Sequence, residues 1–174
     1  MKQSWTGILP MHKVVVNTTP IIALAKCHEL DVLRRMYGKI VIPQAVYDEI
    51  CVRDDIVSRI VNDSRTWISV KKIQDAKDKA LYRTRLHDGE VEVMILAQEI
   101  NADIVIIDDL SARSTAEYLK LPLTGTLGVL IKAKQQGIID EVMPIIDKMQ
   151  NENIYFSDRL LDLVRRKTGE GLSR

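Results

Sequence analysis

The sequence predicts an α/β fold of three layers, with helices on both faces of a central, mainly parallel sheet. Most of its strand candidates are continuous β-branched runs, the pattern of strands covered on both faces. These runs alternate with segments of helical spacing, as in chains whose parallel strands are joined by crossover helices. At 174 residues the chain fits one domain with a core large enough to need neither disulfide nor structural metal.

The elements follow in order. Strands are expected at "KVVVN" (13–17), "KIVIP" (39–43), "WISVKKI" (67–73), "DIVIID" (103–108) and a short "LPLTG" (121–125). After the first strand, Thr19 is placed to N-cap a helix with Pro20 at its first position, since the residue before a proline is pushed to extended backbone. Helices are expected over 20–27, 30–37, 44–51, 54–62, 75–86, 89–100 and 110–119. Three more close the chain: 127–136 ending at Gly137, 140–150, and 158–167 between Ser157 and Gly169. Residues 1–12 read as an extension, or as the product of a start codon upstream of Met11, and 13–174 as one domain.

Composition narrows the chemistry. The formal charge is +1 with 28% charged residues, so any attraction for nucleic acid is local and not global. Cys27 and Cys51 have no metal-binding spacing and read as reduced core residues, and no apolar run is long enough for a membrane span; the expectation is a cytoplasmic protein. There is no GxSxG, no Walker A or dinucleotide glycine fingerprint, and no triad setting for His12, His28 or His87.

In an open parallel sheet ligands bind beyond the carboxyl ends of the strands. Asn17 and Asp108 each end a strand. A helix over 89–100, roughly 18 Å long, followed by an antiparallel return brings Glu90 back beside Asp108 and Asp109. Glu49 borders the apolar seam of the helix after "KIVIP". Oxygen ligands without His or Cys suit Mg²⁺ or Mn²⁺ and phosphodiester cleavage. Each residue also has a structural alternative: Asn17 bonding the turn, Asp109 N-capping the next helix, Glu90 favouring a positive helix end, Glu49 simply bordering the seam. As a set, acids at one edge would repel one another unless a cation or proton intervened. The basic stretches Lys71–Arg85 and Arg159–Lys167 could track phosphates but read better as solvated helix faces, and "TGTLG" (124–128) as a turn capped by Thr126.

"VVVNTTPIIALAK", "IPQAVYDEI", "DGEVEVMILAQE", "ADIVIIDD" and "LPLTGTLGVLIKAKQQGII", in this order, resemble the PIN-domain superfamily of VapC-like nucleases, within a PIN-like subgroup. The resemblance implies a catalytic set of Asn17, Glu49, Glu90, Asp108 and Asp109, with Asn17, Glu90 and Asp108 holding Mg²⁺ or Mn²⁺ and Glu49 orienting water. Asn17 stands where active relatives carry aspartate, offering a carbonyl oxygen but no charge. The resemblance further implies a ribonuclease acting on RNA, the toxin of a toxin–antitoxin pair with an antitoxin protein as partner, and a homodimer. The rival reading is a non-catalytic nucleic-acid- or protein-binding module that kept the fold and lost the full acid set.

Overall fold

The computed structural model describes residues 12–52, 55–74, 79 and 86–171. Strands β1 (Val14–Val16), β2 (Ile40–Pro43), β3 (Ile68–Lys71), β4 (Ile104–Ile106) and β5 (Leu123–Thr124) form one sheet in the order β3-β2-β1-β4-β5, every neighbouring pair parallel. The register sets Val15 opposite Val41 on one side and Val16 opposite Ile106 on the other. Val14, Val15, Val16, Val105 and Ile106 are fully buried, as expected of strands with helices on both faces.

The helices are α1 (Thr18–Lys26), α2 (Asp31–Tyr37), α3 (Gln44–Val52), α4 (Ile56–Asp63), α5 (Asp88–Glu99), α6 (Leu110–Tyr118), α7 (Thr126–Gln135), α8 (Met143–Asn151) and α9 (Asp158–Thr168). Helices α3 and α5 pack on each other and on β2, while α2 packs on β2 and α7, which completes the three-layer α/β/α arrangement. The order in which strands are added reverses between β1 and β4: from β1 the sheet grows through β2 and β3 on one side and then through β4 and β5 on the other. A crevice opens beyond the carboxyl ends of the strands at such a switch point.

The strands are shorter than the expected spans; after β1 and β2 the chain enters a helix within one residue of the strand's end. The start of α1 differs from the expectation. Asn17, not Thr19, is its N-cap, with its side chain accepting from Thr18 N. Pro20 is therefore the third helical residue, where its missing N–H removes a donor that has no intrahelical acceptor anyway. Ser157 caps α9 and Gly169, at φ 73°, ends it, both as expected. Cys27 is buried, which pushes its thiol pKa up, whereas Cys51 is only partly buried. The helix expected over 75–86, apart from Lys79 and Leu86, and the segment carrying Trp5 and Ile8 lie outside the described residues. No described helix is long and apolar enough to cross a membrane.

Several helix N-termini take their cap from far along the chain. Helix α3 follows Pro43, which has no acceptor side chain, and Ala45 N donates to Glu92 Oε2 at 2.9 Å. Glu92 is only 7% exposed, and its other oxygen pairs with Lys79 Nζ at 2.6 Å. Helix α8 has Val142 at its N-cap, and Glu170 accepts from Val142 N at 2.8 Å and Met143 N at 2.7 Å. Lys134 Nζ completes that cluster at 2.7 Å from Glu170 Oε1.

Burial raises the Glu170 pKa, but Lys134 and the two amides outweigh it, so the net shift is downward. A lowered folded pKa contributes stability that is fully present above the unfolded carboxylate value, about 4.3, and is lost as pH falls through the lower folded value. Glu170→Gln is expected to cost about 1.5–3 kcal/mol at pH 7, the worth of hydrogen bonds to a charged group. Urea unfolding should find that difference shrinking below about pH 4. An unchanged difference down to pH 2 would show that the charge contributes nothing.

Candidate functional site

The polar residues at the carboxyl edge owe their places to the strand–helix turns. Asn17 N donates to Ile106 O at 3.0 Å, extending the β1–β4 ladder by one bond, so Asn17 and Asp108 leave adjacent strands at the same edge. Asn17 is 4% exposed, and its Oδ1 accepts from Thr18 N at 2.8 Å. Thr18 Oγ1 in turn donates to Glu49 Oε2 at 2.7 Å, tying the start of α1 to α3. Glu90 Oε2 accepts from His87 N at 3.0 Å, the acid half of a capping box at the start of α5.

Asn17, Thr18, Glu49, Asp88, Gly89 and Glu90 line one cleft of about 420 Å³. Glu49 approaches Gly89 closely: a Cβ there would lie 3.2 Å from Glu49 Oε2, so a side chain would push on that carboxylate. The cleft thus gathers three of the five residues expected from the sequence, Asn17, Glu49 and Glu90. Asp108 and Asp109 are not among its lining residues.

Asp108 is held by the start of α7 on the neighbouring strand. Its Oδ1 accepts from Thr126 N at 2.7 Å and its Oδ2 from Thr126 Oγ1 at 2.6 Å. The sequence expectation that Thr126 caps its own turn is corrected here: Gly125 occupies the N-cap position of α7, and the acceptor is Asp108. A side chain at Gly125 would displace Asp108 or Arg113, since a Cβ would sit 2.9 Å from Asp108 Oδ1 and 3.1 Å from Arg113 Nη1. Arg113 donates to Ile107 O at 3.0 Å, which fixes a positive charge at this edge. Asp109 accepts from Ala112 N at 2.9 Å and N-caps α6.

The sequence reading missed Thr18, Asp88 and Thr126 as parts of this edge. Asp88 stands two residues before Glu90 in "HDGE", so the same helix start that suggested Glu90 also carries it. Thr126 lay within "TGTLG", where the turn was legible but its acceptor, 18 residues back in the chain, was not.

Among the described residues no three His, Cys, Asp or Glu side chains converge closely enough to hold an ion by themselves. The donor chemistry does fit Mg²⁺ or Mn²⁺, which keep several waters and need only one or two protein carboxylates besides a substrate phosphate. Glu49 and Glu90 supply two carboxylates to one cleft, each with one oxygen committed to a hydrogen bond; Asp88 and the imidazole-bearing His87 also line it, and no sulfur does.

Thr126 is buried, so Thr126→Val removes the Asp108 Oδ2 bond while leaving the backbone bond and the shape. The expected loss is about 1.5–3 kcal/mol in urea unfolding, largely recovered in Thr126→Ser. Equal stability of the valine and wild-type proteins would show that Asp108 does not depend on the hydroxyl.

Comparison with known proteins returns a family at the scale of the whole fold. The family model DUF3368, described as a PIN domain, matches residues 13–170. No curated protein matches the chain. The matched span runs from the residue before β1 to two residues beyond α9, so it takes in the sheet, the switch point and both strand ends that carry Asn17 and Asp108. The chain belongs to the PIN-domain family.

Proposed function

We propose that the chain is a ribonuclease that uses Mg²⁺ or Mn²⁺ at the cleft beyond β1. The observation that carries this reading is the meeting of Glu49 and Glu90 in one cleft, next to the buried carboxamide of Asn17 at the switch point of the sheet. Glu49 and Glu90 would hold the cation from the cleft and Asp108 would join from the end of β4. When bound, the cation supplies a more acidic water and neutralises charge developing on phosphate oxygens. Thr18 holds Glu49 Oε2, which fixes a cleft-lining carboxylate that can orient an attacking water. Asp108 is pinned through both oxygens by Thr126, which fixes its direction before any ligand arrives. Arg113 sets a positive charge beside Asp108, suited to a phosphate neighbouring the cleaved one.

The cellular role attached to this activity is that of a toxin acting on RNA in the cytoplasm, with an antitoxin protein covering the cleft and a homodimer as the assembly. A second reading, a binding module without catalysis, has its own support. Asn17, Glu90, Asp108 and Asp109 each satisfy a backbone N–H at the start of a helix, which is reason enough for an acceptor at each position.

The two readings separate on Glu90→Gln, which keeps the capping-box acceptor and removes the charge. With labelled mixed RNA and Mn²⁺, the wild type is expected to cleave and chelator to stop it. Glu90→Gln should lower the rate by about 10–100-fold, the scale on which losing even a supporting partner of a metal site is felt. Arrested growth on expressing the wild type but not Glu90→Gln would extend the result to the cell. Equal cleavage by both proteins, or cleavage insensitive to chelator, would overturn the metal-dependent mechanism. Binding without cleavage would favour the module.

A further inference from the structure

Asn17 is the most deeply buried of the acceptor-type side chains at the cleft, and the two ends of its carboxamide have different fates. Oδ1 is engaged by Thr18 N–H at 2.8 Å. This bond fixes the direction of the group, because reversing the amide would set two donors against each other. The nitrogen, Nδ2, is thereby turned away from the cap. It donates to no acceptor among the described residues, and no described buried side-chain nitrogen or oxygen is both shut off from solvent and unpartnered. In a residue that is only 4% exposed and lines the cleft, the accessible sliver therefore includes Nδ2.

An amide nitrogen that reaches the cleft with no acceptor among the described residues can exchange water for a ligand oxygen while the rest of the side chain stays held in place. The acids lining the cleft, Glu49, Asp88 and Glu90, are acceptors that can hold a cation, and the Asn17 amide is a neutral donor deep beside them that can hold an anion; Thr18, which also lines the cleft, gives its hydroxyl to Glu49. We propose that Asn17 is a substrate-contacting residue: its Nδ2 donates to a non-bridging oxygen of the RNA phosphate, while its Oδ1 remains the cap of α1. This rests on the ribonuclease reading and changes the role that the family resemblance implies for the position, from cation ligand to phosphate donor. It also accounts for asparagine here. Aspartate would cap α1 equally well but would present a second acceptor where the phosphate oxygen must come.

The test compares wild type with Asn17→Asp by three measurements. Melting in chelator checks the fold, which the aspartate cap should preserve. Mn²⁺ affinity without RNA is read from free-ion paramagnetic resonance. Affinity for a fluorescein-labelled single-stranded RNA is read by anisotropy, with Ca²⁺ in place of Mn²⁺. The expected result is RNA affinity weakened about tenfold, the effect of one lost hydrogen bond to a charged group, with Mn²⁺ affinity undiminished. If Asn17→Asp does not fold, Asn17→Ser keeps a capping oxygen without the amide donor and carries the same comparison. Unchanged or tighter RNA binding by the folded variant would overturn the donor role alone. Failure of the wild type to bind RNA at all would instead overturn the ribonuclease reading, and this inference with it.

Discussion

Every helix must satisfy backbone N–H groups that have no intrahelical acceptor at its start, and in this fold much of that duty falls on carboxylates from elsewhere in the chain. Pro43, Gly125 and Val142 precede or open α3, α7 and α8 without an acceptor side chain, and Glu92, Asp108 and Glu170 take their place. Each of these acids joins two elements that are distant in sequence: α5 to α3, β4 to α7, and the chain beyond α9 to α8. Removing one would leave donors unmet at a helix end and release a tertiary clasp at the same time. The local caps of Asn17, Asp55, Asp109 and Ser157 do the same work without crossing the fold.

This constraint explains why the carboxyl edge is acidic before any ligand is considered. Parallel strands hand over to helices at one edge only, so helix N-termini gather there and attract acceptors. Asn17, Asp108 and Asp109 occupy three of those handovers, and Glu90 a fourth at the start of α5. The switch point between β1 and β4 then opens a cleft among them. Structure and proposed chemistry thus draw on the same side chains. Asp108 gives both oxygens to Thr126, whereas among the described residues Glu49 and Glu90 each use only one oxygen in a hydrogen bond, so the cleft side is better placed to take a cation first.

The sheet was largely legible in the sequence because fully buried strands leave a plain mark: "VVV" and "IVI" have no polar face to disguise them. The ends of helices with local signals, Ser157 and Gly169, were legible for the same reason. What escaped were contacts whose partners lie far apart. Thr126 signals a cap by type, and only the tertiary fold shows that it serves Asp108 as donor. Thr19 before Pro20 carried the local cap signal, yet Asn17 won, because the β1–β4 ladder runs through Asn17 N and the chain turns directly after it. Glu92 within "DGEVEV" carries no local mark of burial, yet it is buried as the cap of α3. Of the candidate site, the edge and three of its cleft-lining residues were readable; the division of labour between capping and cleft was not.

Whether the capping edge is also the cation site is tested most directly by paramagnetic broadening by Mn²⁺ in an amide-resolved NMR spectrum. Substoichiometric Mn²⁺ should broaden the amides of Thr18, Thr19, Gly89 and Glu90 first, while amides around Asp31 and Asp63 or around Glu141 and Asp147, which line acidic clefts elsewhere, stay sharp. Broadening that begins at either of those clefts, or spreads evenly over surface carboxylates, would contradict a cation site at the capping edge.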